Sequence, residues 1–368
     1  MKIKSFEAKN FRNIKECKID FTDGINLLVG KNAQGKTNVA EGIYLFSRGK
    51  SFRGSSEAEL AMFGSEGFYI SVDYEGKKRK EKLEYSVYGR ERIRKKNGYK
   101  INKLTEMIEN FKCVLFVPDD LNLVKSGPEE RRNFLNVAVS LCDENYIDYY
   151  KRYKIASENR NCILKNAKNG LYFNEDEFRA WSESVAKYAS FVYQARKNYI
   201  KKIEENARKI LSEISNEKEE LSLLYKSDIK EEIKDLKEIE EEYKRILSSD
   251  IQREIAVGYS LFGPSKDDIE IKINKKEAKI FASQGQQRSV VLAIKLAEGE
   301  VINEMFGEYP VFIFDDVMSE LDSERRKYII ENAGEKQIII TSCEKERYID
   351  ISNNVIEVSG GKYVSSHR

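Results

Sequence analysis

The chain has 368 residues, which is enough for two domains or for one large domain with an insertion. Its 64 basic and 62 acidic residues leave a net charge of +2, which excludes a uniformly basic nucleic-acid binder, so any basic surface must be local. Hydrophobic residues make up 40% of the chain and permit a sizeable core, but no stretch approaches the roughly 20 apolar residues of a membrane span, so no membrane partner is expected.

The N-terminal residues predict two strands around a turn. Residues 2–8 and 14–21 roughly alternate between apolar and polar side chains, as half-buried strands do. Residues 10–13, Asn-Phe-Arg-Asn, form the turn between them. A mostly apolar run at 25–29 predicts a third strand, which leads directly into the most informative motif of the chain.

That motif is a phosphate-binding loop, G-x-x-x-x-G-K-T, followed by residues with helical periodicity. Gly30 and Gly35 allow backbone conformations that a Cβ forbids, so successive N–H groups can surround an anion at a helix N-terminus. Lys36 supplies a charge for the β- and γ-phosphates, and the Thr37 hydroxyl can enter a Mg²⁺ shell. The predicted ATP-binding residues of this segment are Gly30, Lys31, Asn32, Ala33, Gln34, Gly35, Lys36, Thr37 and Asn38.

A dense basic run follows two further predicted strands, at 68–74 and 82–88. The run could contact the phosphate backbone of DNA, or it could be a solvated strand and loop, and both interpretations stay open. A continuous apolar run at 113–117 then predicts a buried strand. The basic residues are Arg90, Arg92, Arg94, Lys95, Lys96 and Lys100.

The middle of the chain predicts long helices. No proline lies between positions 128 and 264, and no glycine lies between positions 170 and 258. Sustained heptads are not seen, so a long coiled coil is not expected. A short strand is predicted at 221–225. Apolar residues recur at helical spacing over 129–166, 175–216 and 230–247.

Strand patterns return after residue 255, and one of them ends in two carboxylates. Residues 311–314 are continuously apolar and Asp315 and Asp316 follow, as at the carboxyl end of a buried parallel strand. Asp315 would hold Mg²⁺ through water, and Asp316 would orient or deprotonate the attacking water. The predicted catalytic residues are therefore Lys36, Asp315 and Asp316, and the predicted metal ligands are Thr37 and Asp315. Further predicted elements are strands at 269–273 and 338–341 and an amphipathic helix at 290–306.

Two more motifs fit an ATPase whose site is completed by a partner subunit. Ser283, Gly285 and Gln286 form S-x-G-Q before a predicted helix. This is similar to the signature of ABC-type ATPases, in which the serine and the helix N-terminus bind the γ-phosphate held on the opposite subunit. A simple capped helix is the alternative. Ser319 and Asp322 begin and end S-E-L-D, the predicted D-loop, and the four motifs occur in the ABC order.

With these motifs in place, the chain resembles the RecF family of bacterial DNA replication and repair ATPases, which are related to SMC heads. The resemblance implies an α/β fold, an ABC/SMC-like P-loop ATPase head with a helical inserted domain. It implies that Arg12 and Asn13 bind ATP together with the phosphate loop. The implied domains are an N-terminal head part (1–124), a helical insertion (125–254) and a C-terminal head part (255–368). The matching segments outside the motifs are 51–53, 118–121, 125–128, 131–136 and 263–268.

Several positions depart from the family pattern. The switch histidine of ABC proteins is missing, because the only histidine is His367 in the tail, and Thr341 is the candidate replacement as γ-phosphate sensor. Asp119 is the candidate for the Q-loop position. Arg131 and Arg132 could bind phosphate, or they could pair with Asp119 and the acid after it.

The implied function is an ATP-dependent homodimer on double-stranded DNA near single-strand gaps. Weak, DNA-stimulated ATP hydrolysis would gate this clamp, which would help to load RecA with RecR and RecO.

No C-x-x-C pair occurs among the five cysteines, so we expect reduced thiols and a cytoplasmic location.

Two alternative functions make different demands on the sequence. An SMC-like DNA tether needs a long coiled coil, whereas the insertion would reach at most about 90 Å even as a simple hairpin at ~1.5 Å per residue. A transporter ATPase subunit predicts a compact head with a switch histidine, and this chain has neither.

Overall fold

The computed structural model describes residues 1–77, 79–230 and 232–367, which form mixed α/β structure. The strands are β1 (Lys2–Phe11), β2 (Ile14–Asp20), β3 (Ile25–Val29), β4 (Gly67–Glu75), β5 (Lys80–Tyr88), β6 (Glu91–Lys96), β7 (Tyr99–Lys100), β8 (Cys113–Phe116), β9 (Leu221–Lys226), β10 (Asp268–Ile273), β11 (Lys276–Glu277), β12 (Val311–Asp315), β13 (Ile338–Ser342), β14 (Asn354–Ser359) and β15 (Lys362–His367). The helices are α1 (Lys36–Arg48), α2 (Glu57–Leu60), α3 (Leu104–Asn110), α4 (Pro128–Cys142), α5 (Tyr146–Lys168), α6 (Glu175–Ile214), α7 (Leu236–Leu247), α8 (Ile251–Val257), α9 (Ala278–Phe281), α10 (Gln284–Phe306) and α11 (Ser323–Glu331).

The chain divides into two compact units. The first unit consists of Met1–Asn122, Lys209–Lys218 and the chain from Gln284 onward. The second unit consists of Leu123–Arg208 and Glu219–Ser283. Residues 255–283, predicted as part of the C-terminal head part, therefore lie in the same unit as most of the helices. The physical reason is strand pairing, because β10 pairs antiparallel with β9 along its whole length.

The first unit is built on two six-stranded sheets. One is antiparallel, with the strand order β2-β1-β4-β5-β6-β7. The other has the order β15-β14-β3-β13-β12-β8, in which all strands except β15 run parallel. Strands β3, β12 and β13 are buried along their entire length, which explains why they are mostly apolar. Because parallel strands end at one edge of a sheet, the residues that follow these three strands meet there.

Helix α1 is almost completely buried, and α10 is buried through its middle. Helix α1 contacts strands of both sheets, and Val39, Ile43 and Phe46, predicted to share one face, are all fully buried. The amphipathic prediction for α10 is wrong, since residues 290–295 are buried without interruption. A helix that is buried on all sides of its middle is a core helix, and Gly285 and Gln286 lie at its start.

The second unit contains α4, α5, residues 175–208 of α6, α7, α8, α9 and a small sheet with the order β11-β10-β9. The helix predicted at 129–166 is interrupted, because residues 143–145 separate α4 from α5. The strand predicted at 221–225 is confirmed as β9. Within the described part of the chain, no helix combines the length and the apolar character that crossing a membrane requires.

The second unit contains a buried arginine whose removal should destabilise it. Arg160 on α5 is 0% exposed, and its guanidinium donates to Glu254 at 2.7 Å and to Ser260 at 2.6 Å. We expect Arg160→Met to lower the free energy of unfolding by about 3–5 kcal/mol, because Glu254 would keep a buried charge without its cationic partner. Denaturant unfolding measures this loss. The matched control is Arg152→Met on the same helix, which removes exposed contacts with Asp148 and Tyr188 and should change little. Equal losses in both variants would contradict the prediction.

Candidate functional site

The predicted phosphate loop connects β3 to α1, and both of its glycines are required by close packing. A Cβ on Gly30 would lie 2.2 Å from the carbonyl oxygen of Val358. Gly35 has φ 113° at the N-cap of α1, and a Cβ there would lie 2.6 Å from the hydroxyl of Tyr363. The loop therefore keeps its backbone N–H groups close to the surface where an anion would bind.

The Lys36 side chain lies within the loop and is 6% exposed. Its Nζ donates to the carbonyl oxygens of Gly30 at 2.6 Å and Lys31 at 2.9 Å, and it lies 3.5 Å from Cys343 Sγ. These acceptors are neutral, and no carboxylate of the described residues pairs with Lys36. The ammonium charge is therefore placed where a phosphate would compensate it.

The predicted metal ligands Thr37 and Asp315 are brought together at the ends of neighbouring elements. Asp315 ends β12 and pairs in register with Thr341 of β13. The Thr341 hydroxyl donates to Asp315 Oδ1 at 2.7 Å, and the Thr37 side chain also hydrogen-bonds Asp315. Burial raises the pKa of Asp315, and the two hydroxyl donors act against this shift. A hydroxyl and a carboxylate side by side suit the hard oxygen coordination of Mg²⁺.

Asp316 is placed differently from Asp315, because it is exposed and has a left-handed backbone with φ 56°. Its backbone N–H donates to the Thr341 hydroxyl at 3.0 Å, and its carbonyl oxygen accepts from Ser319 Oγ at 3.1 Å. Ser319 belongs to the predicted D-loop. The two neighbouring carboxylates therefore have separate surroundings, one buried beside Thr37 and one open to solvent.

The N-terminal turn has one residue that contacts the loop and one that pairs with a buried glutamate of α1. Asn13 Nδ2 donates to the carbonyl oxygen of Ala33 at 2.9 Å, and its Oδ1 accepts from Asn38 at 2.7 Å, so Asn13 joins the loop to the first turn of α1. Arg12 instead forms a bidentate pair with Glu41 at 2.9 and 2.6 Å, and Glu41 is 0% exposed. ATP contact by Arg12 stays a prediction, since the structure gives this guanidinium a buried carboxylate as its partner.

The signature and D-loop segments are connected by an arginine that carried no prediction from the sequence. Gly285 and Gln286 lie in the first turn of α10, directly after Ser283, and Asp322 caps α11 by accepting from the Arg325 backbone at 3.0 Å. The Arg325 guanidinium donates to the carbonyl oxygen of Gly285 at 2.7 Å and also pairs with Asp322. The only sequence signal that could have indicated this role of Arg325 is a capping aspartate with an arginine three residues later.

Arg131 and Arg132 both have partners within the second unit, and their binding of phosphate stays a prediction. Arg131 forms a bidentate pair with Asp268 at 2.6 and 2.9 Å. Arg132 donates to the backbone carbonyl of Asp267 at 3.0 Å. Both arginines therefore hold α4 to the start of β10, and neither pairs with the acids at 119–120 as one alternative required.

The predicted DNA-contact run forms β6, β7 and adjoining turns, and much of its charge is paired. Arg92 and Arg94 form ion pairs with Glu57, and Lys96 pairs with Glu81 at 3.0 Å. These three basic residues alternate along β6 and share one face of the strand. Among the residues that the structure describes, no ion pair or hydrogen bond joins another group to the side chains of Arg90, Lys95 or Lys100.

Comparison with known proteins gives the family. The family model described as RecF/RecN/SMC N terminal domain matches residues 2–364. The DNA replication and repair protein RecF of Thermoanaerobacter sp. (strain X514) is 36% identical over 362 residues, which cover 97% of this chain and 99% of that protein. The RecF of Clostridioides difficile (strain 630) is 37% identical over 376 residues, covering 99% and 98%. This chain belongs to the RecF family.

Solved structures agree with a RecF-family fold. A structure of the recombination mediator protein RecF with ATP in the RecFOR pathway has a TM-score of 0.90 at 34% identity, covering 99% of this chain and 97% of that one. An SMC head domain derived from Pyrococcus furiosus, 18% identical with a TM-score of 0.56, covers 100% of this chain and 96% of that one and shows the shared fold alone. The predicted ABC/SMC-like head fold is confirmed.

Proposed function

We propose that this chain is an ATP-dependent DNA-binding clamp that acts in DNA replication and repair. The observation that carries the proposal is the convergence of Lys36, Thr37, Asp315 and Asp316 at one edge of a parallel sheet. Relatives across the full length are DNA replication and repair proteins, and one structural relative is solved with ATP. ATP is accordingly the proposed substrate.

The residues at the sheet edge fit ATP with Mg²⁺. Lys36 would bind the β- and γ-phosphates, and Thr37 with Asp315 would hold the metal ion. Bound Mg²⁺ would neutralise charge on the phosphates during transfer to water. Asp316, which is exposed, would orient or deprotonate the attacking water. This chemistry is weak ATP hydrolysis, which would time the opening of the clamp rather than serve metabolism.

Dimerisation completes the proposed site. Ser283, with Gly285 and Gln286 in the first turn of α10, would bind the γ-phosphate held by a second copy of the chain. Two ATP molecules between two copies satisfy both sites at once, which gives an isologous two-fold dimer. ATP stabilises the dimer because it binds the dimer in preference to the monomer, and loss of the γ-phosphate opens it.

The proposed ligands and partners follow from family membership. They are double-stranded DNA near single-strand gaps and RecR, with RecO and RecA downstream, in the cytoplasm. DNA contact is assigned to Arg90, Lys95 and Lys100, because the other basic residues of that run have carboxylate partners. Such contact is electrostatic, so it should weaken steeply with salt.

The test is sedimentation with gapped linear duplex DNA, with and without ATP and Mg²⁺, alongside light scattering for the dimer. We expect ATP to increase both the dimer and the DNA-bound fraction. Ser283→Arg should bind ATP as a monomer and lose the ATP-dependent increase in DNA binding, because the larger cation blocks the second subunit. The matched control is Ser248→Arg at the exposed C-cap of α7, where a cation is tolerated. DNA binding that is indifferent to ATP, or normal dimers of Ser283→Arg, would overturn the proposal.

A further inference from the structure

The hydroxyl of Thr341 forms one hydrogen bond with each of the two aspartates of the candidate site, Asp315 and Asp316. Thr341 lies on β13 between the neighbouring strands β3 and β12, paired in register with Leu28 on one side and Asp315 on the other, and it is 1% exposed. Its Oγ1 donates to Asp315 Oδ1 at 2.7 Å and accepts from the backbone N–H of Asp316 at 3.0 Å. Because a hydroxyl has a single proton, Thr341 cannot donate to a phosphate while it holds Asp315.

Both acidic residues need this support. Asp315 is 4% exposed, so water has little access to its carboxylate and its oxygens need hydrogen-bond donors from the protein. Asp316 has a left-handed backbone, which residues other than glycine adopt at an energetic cost. The bond from its N–H to Thr341 and the bond from Ser319 to its carbonyl hold this conformation from both sides.

We propose that Thr341 is a positioning residue, which fixes Asp315 toward the metal position and Asp316 toward the attacking water, rather than a γ-phosphate sensor. The proposal rests on the proposed ATPase function. It assigns to one hydroxyl the alignment of two carboxylates with different roles, and it explains why the end of β13 carries a short hydroxyl side chain beside β12.

The experiment compares Thr341→Val, which keeps the shape and removes the hydroxyl, with Thr341→Ser, which keeps the hydroxyl. We expect Thr341→Val to lower kcat for ATP by about 10- to 100-fold, the range typical for loss of a residue that supports a ligand. Binding of a non-hydrolysable ATP analogue, measured by calorimetry, should stay within about threefold of wild type, since only the chemical step loses alignment. The ATP-driven dimer should live longer, and Thr341→Ser should restore turnover.

Failure of this inference and failure of the proposed ATPase function give different experimental results. If Thr341→Val weakens binding of the ATP analogue but not of ADP, Thr341 is a γ-phosphate sensor and the inference fails. The inference also fails if Thr341→Val hydrolyses ATP at the wild-type rate. It fails as well if Thr341→Ser is as slow as Thr341→Val, because the packing of the methyl group would then matter and the hydroxyl would not. If the wild-type chain neither binds ATP nor dimerises, the proposed function fails instead.

Discussion

Replacing Lys36 by methionine should abolish ATP-driven dimerisation and ATP hydrolysis. Methionine fills a similar volume but removes the ammonium of Lys36. This residue is 6% exposed, and among the described residues its Nζ donates to two loop carbonyls and to Cys343 Sγ, none of them a carboxylate. Two charge-assisted hydrogen bonds to phosphate, at about 1.5–3 kcal/mol each, correspond to a loss of affinity of about 100-fold or more. The remaining backbone donors of the loop cannot replace a positive charge.

Calorimetric titration with ATP and light scattering of the same samples measure both effects. The matched control is Lys50→Met, an exposed lysine just beyond the other end of α1, which should bind ATP and dimerise like wild type. Thermal unfolding of both variants shows whether the loop still folds. Normal ATP-driven dimers of Lys36→Met would remove the phosphate loop from the proposed site.

The parts of the fold that were predictable from sequence are those set by local patterns. The phosphate loop was recognisable because strand, glycine turn and helix are consecutive in the chain, and the structure places them as β3, the loop and α1. The strand before Asp315 was recognisable because a parallel strand buried on both faces must be continuously apolar. Both signals lie within one continuous stretch of the chain and need no distant partner.

The parts that were not predictable depend on partners that are far apart in the chain. Residues 255–283 lie in the second unit because β10 pairs with β9, and no local pattern in the sequence shows that these two strands pair. Arg131 and Asp268, which form a bidentate pair, are separated by 137 positions. The partners of Arg325 on α10 are the Gly285 carbonyl and the Ser289 hydroxyl, 40 and 36 positions away in the chain.

The basic run shows a related limit. A count of lysines and arginines over residues 90–100 gives local charge, but it does not show which of them are neutralised. The strand alternation of β6 places Arg92, Arg94 and Lys96 on one face, and their carboxylate partners come from residues 57 and 81. Charge density along the sequence therefore overstates the charge that this strand can offer to DNA.

Replacing Asp316 by asparagine should stop ATP turnover without loosening the dimer. The substitution suits this position, because asparagine tolerates the left-handed backbone at φ 56° and keeps the N–H bond to Thr341. It removes only the charge that would orient or accept a proton from the attacking water, and loss of a general base typically costs about 10²- to 10⁴-fold in rate. ATP binding should be retained, because Lys36 and the loop are unchanged.

A dimer that cannot remove the γ-phosphate should also live longer, since hydrolysis is the step that opens it. Phosphate release gives the turnover, and the decay of light scattering after removal of free ATP gives the lifetime of the dimer. Asp148→Asn, an exposed residue of α5, controls for the loss of one surface charge. Turnover at the wild-type rate would show that another group activates the water. Loss of ATP affinity would make Asp316 a binding residue, because a base that acts only in the transition state leaves binding of the ground state intact.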